Sequence, residues 1–220
     1  MTYIELKEYL EKIADQKFAL FSKTLSNSDY LVLGVKNPVL RKIIKDHKNN
    51  EQLNPKDFEI GRYLEIDFIY FGLSLIRLGN SKEQLQFLLG KIGLAKSWAI
   101  TDTTSTFLKK ISFEDFYDFF LKAYQSKYIY LRRMAYILAL KQYRDEKVLQ
   151  ILPLITLSED YMVMMSEAWF LSTLAISYQN EVFEYLKNLD DLVLKRKTIS
   201  KICDSYRFTS NDKNRFKSLR

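Results

Sequence analysis

The sequence predicts an all-α protein, and three observations carry that prediction. Apolar residues recur at helical spacing almost from end to end. The 220 residues include only six Gly and three Pro, far fewer turn residues than an all-β chain consumes. No short alternating stretch bounded by turn residues competes as a strand. With 47% apolar and 28% charged residues, the composition also excludes extensive disorder.

Taken in order, Tyr3, Leu6, Tyr9, Leu10 and Ile13 form one helical stripe. Asn37-Pro38 reads as an N-cap followed by Pro at the first helical position, opening a helix that runs to His47. Asn54-Pro55 repeats the device before Phe58. Residues 64–79 are apolar nearly all round, which predicts a helix buried on several sides. Ser81-Lys82-Glu83-Gln84 and Ser112-Phe113-Glu114-Asp115 look like capping-box starts, the second with Asp in place of Glu or Gln. Further helices are predicted over 97–110, 113–126, 129–143, 145–157, 159–178, 180–188 and 191–204, with a last short one from 211. Short polar links between such helices predict antiparallel pairs stacked in one domain over residues 1–220. Spacings of about 35–40 residues between comparable elements fit a HEAT-like repeat solenoid, whose concave groove would take a duplex. A compact bundle of a dozen helices is the rival architecture.

Several function classes drop out on residue counts. The chain has one Cys (Cys203) and one His (His47). That excludes a disulfide framework and a Cys/His zinc site, and leaves a Ser-His triad only if His47 serves. Cys203, beside Ile199 and Ile202, reads as core, and His47 as a helix end. No glycine loop is present to cradle a phosphate. The start, MTYIELKEYL, has no apolar signal core, and even the greasy stretch Ile66–Ile76 contains Asp67. The expectation is a monomer in a reducing cytoplasm, with no membrane span, metal or cofactor.

The formal net charge is +7, and its location matters more than its size. Residues 195–220 hold nine Lys/Arg against two acids, while the rest of the chain is balanced at 25 of each. The basic C-terminal end predicts a one-ended positive field that suits a polyanion. A solvated basic tail is the plain alternative.

Three segments stand out: Lys96-Ser97-Trp98-Ala99-Ile100-Thr101-Asp102, Tyr130-Leu131-Arg132-Arg133-Met134-Ala135 and Ser166-Glu167-Ala168-Trp169-Phe170-Leu171. Trp98 and Asp102 are four residues apart and share a helix face. Each member also has an ordinary reading. Asp102 can cap a helix at Thr103, the tryptophans can anchor the core, and Arg132-Arg133 can be a solvated face. In this order the segments resemble the AlkD-type DNA alkylation repair family, a stack of HEAT-like helical repeats. Leu33-Gly34-Val35-Lys36-Asn37-Pro38-Val39-Leu40-Arg41 is similar to the family's early Gly-hydrophobic-x-x-Pro-x-x-Arg signature, and Leu194-Lys195-Arg196-Lys197 to its late basic segment.

The resemblance implies a monofunctional DNA glycosylase that excises cationic N3- or N7-alkylated purines from double-stranded DNA and leaves the lesion stacked. It assigns Asp102 as the catalytic carboxylate and Trp98 and Trp169 as the tryptophans lining the cleft. Arg133 would contact a DNA phosphate, with Arg132, Arg41, Lys195, Arg196, Lys197 and Lys201 as further DNA contacts. The chain departs from the family at four places: Ala99 where an acid is frequent, Met165 for a lysine, Glu167 at an apolar position and Ser172 for an arginine. Losing two cations weakens phosphate contact, and Glu167 repels DNA if it faces the groove. Two other functions stay open on the residues alone: a non-catalytic DNA-binding paralogue of the same fold, and a helical scaffold for another protein.

Overall fold

The computed structural model describes residues 1–26, 29–155 and 158–220. Among them the regular structure is helical, with one isolated parallel bridge between Leu31 and Tyr63. The helices are α1 (Tyr3–Lys12), α2 (Gln16–Ser26), α3 (Asn37–Asp46), α4 (Leu64–Arg77), α5 (Ser81–Lys91), α6 (Trp98–Thr104), α7 (Phe113–Ala123), α8 (Ile129–Ala139), α9 (Tyr161–Leu174), α10 (Gln179–Lys187), α11 (Leu192–Asp204) and α12 (Ser210–Lys217). Residues 156 and 157 of the predicted 145–157 helix lie outside the described residues. The chain forms two compact units, Met1–Ile111 and Ser112–Arg220.

In the first unit α4 is central and packs on α3 and α6. Ile66, Ile69 and Leu73 are fully buried, as the all-round apolar pattern predicts. Rings fill the space beside them: Tyr3, Phe58, Tyr70, Phe71 and Phe87 form a chain of centroids 5.0–6.2 Å apart. The same helix buries two acids in its first turn, Glu65 and Asp67. Glu65 accepts three main-chain N–H groups, from Leu33 (3.1 Å), Gly34 (2.8 Å) and Val35 (3.2 Å). Gly34 has φ +92°, and a Cβ there would lie 2.1 Å from the Asp15 carbonyl oxygen. Only glycine fits where this loop crosses α2 and enters α3.

In the second unit α9 is central, packed on α8 and α11, with α7 on α8 and α12 on α11. This neighbour-on-neighbour packing is compatible with a helical-repeat solenoid. An aromatic line runs through Phe116, Phe120, Tyr136 and Phe170, with centroids 5.5–6.4 Å apart.

Boundaries differ from expectation for identifiable reasons. Lys36 is the N-cap residue of α3 and makes no side-chain cap, so Pro38 sits one position deeper than predicted. Asn54 does cap, but Pro55–Asp57 is a single 3-10 turn. Asn80, one residue before the predicted box, accepts from the Glu83 N–H at 2.9 Å. The predicted 97–110 helix ends as α6 at Thr104 and continues as 3-10 only to Phe107. Thr101, Thr103, Ser105 and Thr106 each turn a hydroxyl back onto a carbonyl three or four residues earlier, which competes with the helical ladder. Glu146–Leu154 is 3-10 and contains Pro153, which has no N–H to give an α-helix. Cys203 is partly exposed rather than core.

Candidate active site and nucleic-acid interface

Trp98 and Asp102 both lie on α6 of the first unit. Ser97, fully buried, caps the helix by accepting from the Ala99 N–H at 3.2 Å. Asp102 is therefore inside the helix, and its reading as an N-cap is eliminated. Trp98 is half-buried and donates from Nε1 to the Leu25 carbonyl of α2 at 3.3 Å. Its indole, with Ala99 and Thr103, lines an apolar cavity of about 380 Å³ walled by Phe18, Phe21 and Leu25. Asp102 is half-buried. The Thr101 hydroxyl lies 3.0 Å from Asp102 Oδ1 and 2.8 Å from the Trp98 carbonyl, with one proton to share between them.

Arg41 of α3 is brought to the same helix end. Its Nη1 donates to Thr106 Oγ1 at 2.7 Å, and the guanidinium packs against the rings of Phe68 and Phe107. Gly34, Pro38 and Arg41, read above as one signature, thus do three local jobs: a left-handed crossing, a helix start and a tie to the α6 end.

Trp169 belongs to the second unit. α9 is buried on most of its surface but leaves one stripe open, Tyr161, Met165 and Trp169, at i, i+4 and i+8. Asp160 starts the helix by accepting from the Met162 and Val163 N–H groups at 2.8 and 3.2 Å. α11 lays two lysines against that stripe. Lys197 Nζ is 5.8 Å from the Tyr161 ring centre and Lys201 Nζ is 5.9 Å from that of Trp169. Trp169 is 41% exposed and edges a polar depression of about 570 Å³ that also holds Tyr143, Ser172, Lys201, Asp204 and Arg207. Alternating rings and cations are the equipment for stacking on bases or sugars while holding phosphates.

The other predicted cations divide by burial. Arg196 and Lys197 are exposed, and Lys201 is partly so. Lys195 is 9% exposed and turned inward. Arg133 is 5% exposed and gives Nη1 to the Met162 carbonyl at 2.7 Å, tying α8 to the start of α9. Arg132 faces Glu167 and Tyr136, and its buried Nε has no hydrogen-bond partner among the described residues. Glu167 is 1% exposed, so it lies in the core and adds no repulsion to an exterior groove. Burial pushes its carboxyl up to about 7 against the opposing pull of Tyr136 and Arg132, with Asp191 adding to the rise. Ser172, 7% exposed, returns its hydroxyl to the Trp169 carbonyl at 2.9 Å.

Sequence reasoning missed Tyr161, Tyr143 and Arg207. Tyr161 was visible as the residue two turns before Trp169, and Lys197 and Lys201 as a pair one turn apart. Among the described residues no group of three or more His, Cys, Asp or Glu can hold a metal ion, and no helix is long and apolar enough to cross a membrane. No curated protein matches the chain. The family model described as DNA alkylation repair enzyme does match, over residues 6–203, and the chain belongs to that family.

Proposed function

We propose that this DNA alkylation repair protein is a monofunctional DNA glycosylase that removes cationic N3- or N7-alkylated purines while the lesion remains stacked. The observation that carries this reading is the placement of Asp102, a partly exposed residue, one helical turn from Trp98 on α6, in a chain of this family.

The chemistry needs no general acid. An alkylated purine already carries a positive charge, so when the C1′–N9 bond breaks its electron pair returns to the ring and the base departs neutral. Positive charge then develops on the deoxyribose. A fixed carboxylate beside C1′ stabilises that charge. Water adds to C1′ and releases a proton, leaving an abasic site and the free alkylated base. The indole face of Trp98, one turn from Asp102, favours a cationic sugar by about 0.5–2 kcal/mol where water is excluded, and Trp169 offers a ring for stacking beside Lys201. Lys197, Lys201, Arg196 and Arg207 serve phosphates, and Arg41 positions the α6 end. In this reading Arg133 acts indirectly, by holding the start of the helix that carries Trp169.

The test is release of 7-methylguanine or 3-methyladenine from methylated duplex DNA. Asp102→Asn keeps the shape and removes the charge, and is expected to lower release by roughly 100-fold or more. Wild-type protein releasing no base above a buffer control would reject the reading and leave a DNA-binding protein of the same fold.

A further inference from the structure

Asp67 is the most enclosed charged group of the first unit, at 1% exposure, yet both its oxygens are met. Oδ2 accepts from the hydroxyl of Tyr30, itself fully buried. Oδ1 accepts from the Gly61 N–H at 2.7 Å. The Tyr30 oxygen in turn accepts from the Lys96 N–H at 3.2 Å, and Lys96 Nζ donates to the Gly61 carbonyl at 2.7 Å. Tyr30, Gly61, Asp67 and Lys96 thereby close a ring. Lys96 is held at both ends, and the next residue, Ser97, caps α6.

We propose that Asp67 is a positioning residue: through Tyr30 and Lys96 it fixes the entry of α6, and with it the placement of the Trp98 indole and the Asp102 carboxyl. The catalytic consequence rests on the excision reaction proposed above; the geometric one does not.

The ring works in one proton arrangement. An ionised Asp67 accepts only, so Tyr30 commits its proton to Asp67 and keeps a lone pair for the Lys96 N–H. A proton on Asp67, or an amide in its place, puts a donor where Tyr30 needs an acceptor. Burial pushes the Asp67 carboxyl up to about 6, against the pull of Tyr30, the Gly61 N–H and the Lys96 charge. The other titratable groups that feel its charge are Tyr3 of α1 and Tyr70 of α4. Burial first, with Asp67 adding, pushes both hydroxyls up, away from neutral pH.

The experiment measures excision of N7-methylguanine from duplex DNA between about pH 5 and 8 for wild type, Asp67→Asn and Tyr30→Phe. Wild type should lose activity on the acid side with a midpoint near the Asp67 value of about 6. Both variants should lack that limb, with kcat roughly tenfold lower or more and KM within about twofold. A parallel measurement needs no activity. In a Trp169→Phe background, Trp98 is the one tryptophan left of two, and its emission should titrate with the same midpoint. Adding Asp67→Asn should abolish that titration.

A Trp98 titration without base release by wild type would reject the glycosylase and keep the positioning role. Variants that excise at the wild-type rate and pH profile, with flat Trp98 emission in the parent, would overturn the positioning role and keep the glycosylase. If Asp67→Asn does not fold, Tyr30→Phe decides on the same readouts.

Discussion

The two units bury carboxyl groups in opposite ways. In the first, Glu65 and Asp67 are almost sealed from solvent, and every carboxyl oxygen accepts at least one hydrogen bond. In the second, Glu167 is as deeply buried and feels the Tyr136 hydroxyl and the Arg132 charge, but among the described residues no hydrogen bond of good geometry closes on its Oε2, on the Tyr136 hydroxyl or on Arg132 Nε. The same residue class at the same depth therefore does different work. A buried carboxylate that organises main-chain donors fixes the path of the chain, because each orphaned N–H would cost about 1–3 kcal/mol. One that meets side chains carries its charge at a cost: burial pushes up both Asp67, to about 6 with its hydrogen bonds closed, and Glu167, to about 7 with them open. The first arrangement lies beneath α3 and α6, where the proposed excision needs Trp98 and Asp102 in fixed positions. The second lies inside the helix stack whose outer face carries the lysine–ring stripe, where the proposed contact with a backbone of repeating phosphates tolerates more play.

One substitution type tests this contrast, because it should act with opposite sign. Glu65→Gln replaces one acceptor oxygen with an NH2 group facing main-chain N–H groups, and should destabilise the protein by about 2–4 kcal/mol. Urea unfolding at neutral pH measures it, and a loss below about 0.5 kcal/mol would break the comparison. Glu167→Gln should do the reverse above neutral pH. The folded-state value of Glu167, about 7, is raised from its ordinary 4.5. Its contribution is therefore fully present below about pH 4.5, and is lost as pH rises through 7. Glutamine mimics the protonated form, so the variant should match wild type near pH 4 and exceed it near pH 8 by on the order of 2–3 kcal/mol. A wild-type-minus-variant difference that stays flat with pH would show that Glu167 is ionised without cost.

The all-helical architecture was legible because its signal is repeated in every segment, and α4 was legible from its all-round apolar pattern. Trp98, Asp102 and Trp169 stood out as rare residue types at helical spacing. Which way the cations face was not legible. α8 is buried at Leu131 and at every position from Arg133 to Ala139, so Arg133 is withdrawn from solvent while Arg132 is only partly exposed, and the two share no solvated face. Whether a helix has one depends on how many neighbours pack on it, which local periodicity does not report. Lys195 turned inward on α11 for the same reason. Asp67 was visible only as an anomaly in an apolar run. Its partners Tyr30 and Lys96 lie 37 and 29 residues away, and nothing near Asp67 announces them.

The smallest effects should come from the cations themselves, sorted by burial. Lys201 sits half-exposed over the Trp169 ring, so Lys201→Ala should remove about one phosphate contact. The dependence of log affinity on log salt should become shallower by roughly 0.9, with a several-fold loss of duplex affinity at fixed salt and an unchanged thermal midpoint. Arg133→Ala should show the converse. It removes the 2.7 Å bond to the Met162 carbonyl at the start of α9, lowering the thermal midpoint. Because the guanidinium is 5% exposed, the salt slope should stay where it was. Titrations at three salt concentrations, paired with melting curves, separate the two. An Arg133→Ala protein that melts normally but loses a unit of salt slope would put that arginine on a phosphate after all, and would require α9 to move when DNA binds.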